Sequence, residues 1–105
     1  MAFQFKLNER LGIHIPILER DWDDYSLAEQ AQILKQWEHY RSDIPGRIKE
    51  LERLIERKQE ALNEEADFEC SCRLNDEIAE LASIINDLNI WFRIQEETQT
   101  EKAHQ

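Results

Sequence analysis

The residues best suited to chemistry are two cysteines that lie one residue apart in an acidic stretch. Cys70 and Cys72 stand within EEADFECSCRLND, residues 64–76. Two thiolates at this spacing can ligate a metal or exchange a disulfide, but a mononuclear zinc site needs four ligands and the chain has no other cysteine. The carboxylates nearby should raise the thiol pKa values, whereas a helix N-terminus near Ser71 would lower them. A working thiol site therefore stays open as an alternative, in which two copies of the chain bring four thiols together.

The three histidines form no recognisable catalytic or metal-binding arrangement. His14, His39 and His104 are widely separated, and no two have the spacing that places both on one helical face. Glu101 and His104 have the Glu-x-x-His spacing of di-metal helical bundles, but such sites need two of these motifs. No phosphate-binding loop can be built from the two glycines. We therefore predict no catalytic site, no metal site and no cofactor.

Composition and charge favour a single helical domain and argue against two classes of partner. A chain of 105 residues can bury one modest core, and 41% hydrophobic residues with two glycines and two prolines are typical of helices. The net charge of -10 would repel nucleic acid and anionic membranes, but it suits a basic protein partner. Because no segment resembles a signal peptide or a membrane span, we predict a cytoplasmic protein with reduced thiols.

The N-terminal 20 residues have the alternating pattern of extended chain. Phe3, Phe5 and Leu7 alternate with polar residues, and a second alternating run follows after three residues. Pro16 suits only an edge strand, and an isolated two-stranded hairpin is marginal in water. We predict an extended arm over 1–20 that lies on the helices, with a short β-hairpin as the alternative.

Helix signals begin after this arm. Ser26 followed by Glu29 has the spacing of a capping box, which predicts the start of a first helix. Pro45 disfavours helical geometry at the residue before it, and Gly46 weakens any continuation, so we predict a break or a sharp kink there.

Two heptad seams follow this break. In each, residues recur at alternating spacings of four and three, and Lys58 is the only polar member. If the chain folds back with Leu62 facing Leu74, the later layers also match, and the fold-back point falls at Phe68. The seams therefore predict two long helices packed antiparallel.

The predicted fold class is all-α. It is an antiparallel helical hairpin of two long, coiled-coil-like helices with a shorter N-terminal helix and an extended N-terminal arm. The predicted segments are a single domain over 1–97, with the arm over 1–20 and helices over 27–41, 45–65 and 72–96, and a flexible tail over 98–105.

The third helix carries more apolar residues than a two-helix hairpin can cover. Ile84, Ile90, Trp91 and Ile94 flank its seam, and Trp22 stands among aspartates upstream. Large aromatic and aliphatic side chains of this kind anchor interfaces, so we predict these five residues as a face for a partner or a second copy.

These observations predict a function in binding rather than in catalysis. We expect a small acidic protein that acts through protein-protein interaction, as an adaptor, regulator or inhibitor of a larger protein, and that self-associates as a homodimer. The alternative is a thiol-based metal- or redox-responsive protein that uses Cys70 and Cys72.

Overall fold

The chain folds as a small β-sheet followed by long helices. The structure is a computed structural model that describes residues 2–103, with side chains described for residues 2–94. Its elements are strands β1 (Phe3–Asn8) and β2 (Ile13–Leu18), a turn of 3-10 helix (Trp22–Asp24), and helices α1 (Leu27–Arg41), α2 (Ile44–Glu64) and α3 (Phe68–Ala103).

The predicted all-α class is wrong, because the N-terminal residues form a sheet instead of an extended arm. β1 and β2 are antiparallel, with Phe3 opposite Leu18 and Asn8 opposite Ile13. Gly12 closes the turn between them with a φ of 77°, a left-handed conformation that costs glycine little. Helices make up 71% of the chain, so the fold is mostly helical with a two-stranded sheet.

The predicted layout, a helical hairpin with a separate short N-terminal helix, is also wrong. Only Ser42 and Asp43 lie between α1 and α2, and both keep right-handed helical backbone angles, so the two helices form one long bent segment. Pro45 does not stop the chain from being helical. It lies in the first turn of α2, where the N–H that proline lacks would have no acceptor in the helix.

The capping box predicted at Ser26 is confirmed. The Ser26 hydroxyl accepts the N–H of Glu29 at 3.1 Å, and the Glu29 carboxylate accepts the N–H of Ser26 at 3.1 Å. These two bonds satisfy donors that the first turn of a helix leaves unpaired. The N–H of Ser26, aided by the Ser26 side chain, also lowers the pKa of Glu29, because it stabilises the charged carboxylate.

Two apolar clusters hold the sheet and helices together. The larger joins the hairpin turn to all three α-helices, and the smaller joins β1 to α1 and to Tyr25, which follows the 3-10 turn. The buried members of the larger cluster are Leu11, Ile13, Trp37, Ile44, Leu51, Ile84 and Leu88; those of the smaller are Phe3, Tyr25 and Ile33. Because the turn residue Leu11 is itself buried, the hairpin is anchored at its tip as well as along its strands.

Polar contacts fix the hairpin turn to two helices. The Arg10 guanidinium donates to Glu80 at 3.1 Å, Ser83 at 3.0 Å and Asp87 at 2.7 Å, all on α3. Arg47 of α2 donates through Nε to the backbone carbonyl oxygen of the turn residue Leu11 at 3.0 Å.

The predicted flexible tail over 98–105 falls where the side chains, and for 104 and 105 also the backbone, lie outside the described residues. Within the part of the chain that is described, no helix is both long enough and apolar enough to cross a membrane.

Candidate functional site

An apolar pocket lies where β2, the 3-10 turn, α1 and α3 meet. Its volume is about 350 Å³, which is within the range of ligand-binding cavities. All of its lining residues are apolar or aromatic, and three of them are the chain's three tryptophans. They are Pro16, Leu18, Trp22, Ile33, Leu34, Trp37, Trp91 and Ile94. We call this cavity the tryptophan pocket.

Buried polar contacts hold the backbone around Trp22, which lines the pocket. The Gln30 side chain is buried under the 3-10 turn, and its amide nitrogen donates to the carbonyl oxygens of Trp22 at 2.9 Å and Tyr25 at 3.3 Å. The Tyr25 hydroxyl donates to the carbonyl oxygen of Ala2 and accepts the N–H of Glu19 at 3.2 Å. These bonds tie the 3-10 turn to both strands of the sheet, so the Trp22 side of the pocket is held in place.

The Trp37 ring of α1 and the Trp91 ring of α3 pack against each other and line the pocket. Their ring centroids lie 5.6 Å apart at an interplanar angle of 59°, a tilted arrangement that aromatic pairs favour. Trp37 is buried, and its indole N–H has no acceptor among the described residues. A buried donor of this kind is normally paired, so the fold leaves one polar group in the pocket wall unused.

Three exposed carboxylates stand next to Trp22 in the sequence. Asp21, Asp23 and Asp24 flank the Trp22 ring in sequence, and all three are exposed. The nearest basic residue in the chain, Arg20, lies with its guanidinium carbon 5.8 Å from the centre of the Tyr25 ring. The segment that supplies Trp22 to the pocket is therefore negatively charged.

The structure brings together three of the five residues predicted as a partner face. Trp22, Trp91 and Ile94 all line the tryptophan pocket. Ile84 is instead buried in the larger apolar cluster, and Ile90 is 46% exposed on α3.

Sequence reasoning missed the β2 wall of the pocket. Pro16 and Leu18 lie on the opposite face of β2 from Ile13, Ile15 and Ile17, which carried the period-two pattern. A strand that is apolar on both faces is typical of burial on both sides, and this signal was present in IHIPIL.

The two cysteines lie in the first turns of α3 and do not form a joint site. On a helix, residues two apart point about 200° away from each other, so Cys70 and Cys72 cannot hold one ion between them. The Cys70 thiol donates to Asp67 Oδ2 at 3.3 Å. This bond, aided by burial and by the charge of Glu65, raises the pKa of Cys70. Among the described residues, no group of three or more His, Cys, Asp or Glu side chains is placed to hold a metal ion.

Replacing Asp67 with asparagine should make Cys70 more reactive. The change removes the carboxylate that stabilises the protonated thiol, so the pKa of Cys70 should fall and its thiolate fraction near pH 8 should rise. Alkylation by iodoacetamide, followed by mass spectrometry of each cysteine-containing peptide, measures this. Asp76→Asn is the matched control because it removes the same charge farther along α3. Equal Cys70 rates in the two variants would contradict the assigned cause.

Comparison of the chain with protein-family models, with curated proteins and with solved structures finds no match. Function is therefore inferred from the chemistry of the pocket. None of its eight lining side chains can serve as a nucleophile, a general acid or a general base. What the pocket offers is an apolar cavity with aromatic walls, one of which comes from the acidic segment around Trp22, a combination suited to binding.

Proposed function

We propose that this protein acts through protein-protein interaction, as an adaptor, regulator or inhibitor of a larger protein, and that the partner inserts an apolar side chain into the tryptophan pocket. The observation that carries the proposal is the convergence of Trp22, Trp37 and Trp91 on one open apolar cavity. Tryptophan is among the residues most enriched at energetic centres of interfaces, because a ring contributes a large area at a low entropic cost.

The aspartates that flank Trp22 in sequence favour a basic, amphipathic segment as the partner. An apolar side chain would enter the pocket, while a lysine or arginine close to it would meet Asp21, Asp23 or Asp24. The net charge of -10 would speed the encounter with a basic segment and slow that with an acidic one. Association should therefore weaken as salt screens these charges.

Self-association as a homodimer in the cytoplasm belongs to the same proposal. It is supported by apolar side chains that the described fold leaves exposed away from the pocket, including Leu7, Ile17 and Ile90. A second copy could cover side chains of this kind.

A designed peptide tests the pocket directly. The probe is a helical peptide with leucine on one face and lysine on the other, and binding is followed by tryptophan fluorescence. We expect a Kd in the micromolar range that rises at least about tenfold in the variant Leu34→Glu. A charge there would be buried in the pocket wall. Leu34→Glu also makes the protein more acidic. If binding were only non-specific attraction to the basic peptide, the variant would bind more tightly and its Kd would fall instead of rise.

Matched variants separate the contribution of the apolar pocket from that of the aspartates. Leu54→Glu adds the same charge to a partly exposed leucine of α2 that does not line the pocket, and it should leave the Kd nearly unchanged. Replacing Asp21, Asp23 and Asp24 with asparagine should weaken binding and flatten its salt dependence. If Leu34→Glu and Leu54→Glu affect peptide binding equally, the pocket is not the binding site.

A further inference from the structure

Among the described residues, the outer edges of β1 and β2 pair with no other strand. The pattern of hydrogen bonds between β1 and β2 shows which backbone groups point outward. The N–H of Glu19 donates to the carbonyl oxygen of Ala2 at 3.1 Å, so the backbone of Ala2 faces β2. Facing and outward residues alternate in an antiparallel pair. Gln4, Lys6 and Asn8 therefore also bond to β2, whereas the N–H and C=O groups of Phe3, Phe5 and Leu7 point away from it.

The two edges differ in what they can offer to another strand. Pro16 lies opposite Phe5, so it falls on the outward row of β2, and it has no N–H to donate. Proline at such a position is one way in which proteins protect an edge strand from pairing. The outward row of β1 contains no proline, so it keeps its donors, and Lys6 is the only charged residue in the strand.

We infer that β1 pairs with β1 of a second copy, in an antiparallel arrangement about a twofold axis at Phe5, to form a four-stranded sheet. This inference rests on the self-association in the proposed function, and it names the outer edge of β1 as the surface through which two copies associate. We assign this edge to a second copy because two identical β1 strands can align from Phe3 to Leu7 without placing like charges opposite each other.

The charge of Lys6 and the number of aligned residues favour an axis at Phe5 over an axis at Gln4 or Lys6. Bonding requires the outward residues of one strand to face outward residues of the other, so the axis must pass through a residue. Axes at Phe3 or Leu7 would align at most three residues of β1. An axis at Lys6 would place the lysine directly opposite its copy, which is unfavourable. An axis at Gln4 would align only the residues from Phe3 to Phe5. The axis at Phe5 aligns the run from Phe3 to Leu7 and places each Lys6 opposite a Gln4.

The same register covers an exposed apolar side chain. Leu7 is 55% exposed, and it shares one face of β1 with Phe3 and Phe5. Pairing about Phe5 places Leu7 beside Phe3 of the second copy, on that same face. Cross-strand pairs of aromatic and aliphatic side chains stabilise sheets, so the pairing adds apolar contacts to the main-chain bonds.

Amide hydrogen exchange tests the pairing residue by residue. At protein concentrations where the dimer forms, we expect the N–H groups of Phe3, Phe5 and Leu7 to exchange at least about tenfold more slowly than in dilute protein. Those of Gln4, Lys6 and Asn8 bond to β2 in both states and should change much less. A dimer in which the outward amides show no added protection overturns the inference.

Two variants at Gln4 provide a matched pair with opposite expected signs. Gln4→Lys places like charges opposite each other twice in the dimer and should raise the dimer Kd about threefold to tenfold, whereas Gln4→Glu creates two opposite-charge pairs and should lower it. Sedimentation equilibrium of the full chain measures both. A dimer whose Kd is the same in both variants overturns the β1 pairing but leaves self-association standing. A protein that stays monomeric up to about 100 µM overturns both, while peptide binding in the tryptophan pocket is measured independently.

Discussion

Replacing Leu88 with alanine is expected to destabilise the protein by about 2–5 kcal/mol. Leu88 is 0% exposed and belongs to the larger apolar cluster, where it is buried together with Ile44 and Leu51. The substitution removes apolar contacts and leaves a cavity that the surrounding helices can fill only in part. Urea unfolding followed by circular dichroism gives the change in the free energy of unfolding.

Ile90→Ala is the control on the same helix. Ile90 lies two positions along α3 and is 46% exposed, so its truncation should cost no more than about 1 kcal/mol. If the two variants lose the same stability, α3 does not present Leu88 to the core and Ile90 to the surface. The placement of Trp91 in the tryptophan pocket, which depends on the same helical phase, would then also be wrong.

Local signals predicted the helical content, but they gave the N-terminal hairpin only as the alternative to an extended arm. The start of α1 follows from Ser26 and Glu29, because a capping box depends only on residues three apart. The period-two pattern of the first 20 residues was also correct as a sign of extended chain. The pattern was interpreted as an arm because an isolated two-stranded hairpin is only marginally stable. This hairpin is stable because it contacts residues that are distant in sequence.

Those distant contacts involve residues that have no distinctive local pattern. Arg10 looks like an ordinary turn residue, yet it bonds to Glu80, Ser83 and Asp87. Leu11 follows it and is buried in the larger cluster. Because these partners lie some seventy positions away, propensity and periodicity could not identify them.

The candidate site was predictable on its helical side and not on its strand side. Trp91 and Ile94 stood out as surplus apolar residues on one helix, and Trp22 stood out as an aromatic residue among aspartates. Which of these residues meet depends on how α3 crosses α1 and β2. That crossing follows from the bend between α1 and α2. The sequence predicted a break or sharp kink beside Pro45 but not its direction.

Replacing Gly12 with alanine is expected to cost about 2–4 kcal/mol of stability. Gly12 has a φ of 77°, which a residue with a Cβ adopts only with strain. A Cβ at this position would also meet the guanidinium group of Arg47. Arg47 would have to move, and its hydrogen bond to the Leu11 carbonyl oxygen would be lost. Because this bond joins the hairpin turn to α2, the loss should be seen first as faster amide exchange in β1 and β2.

The chain's other glycine supplies a control with the opposite expected sign. Gly46 lies in the first turn of α2 with no atom within 4 Å of the position a Cβ would take, and it has no positive φ. Gly46→Ala should therefore stabilise the protein by about 0.5 kcal/mol, because alanine restricts the unfolded chain more than glycine does. Thermal unfolding of the two variants should shift the Tm in opposite directions. If Gly12→Ala is as stable as the parent protein, neither the left-handed turn nor the contact between Arg47 and Leu11 holds the sheet against the helices.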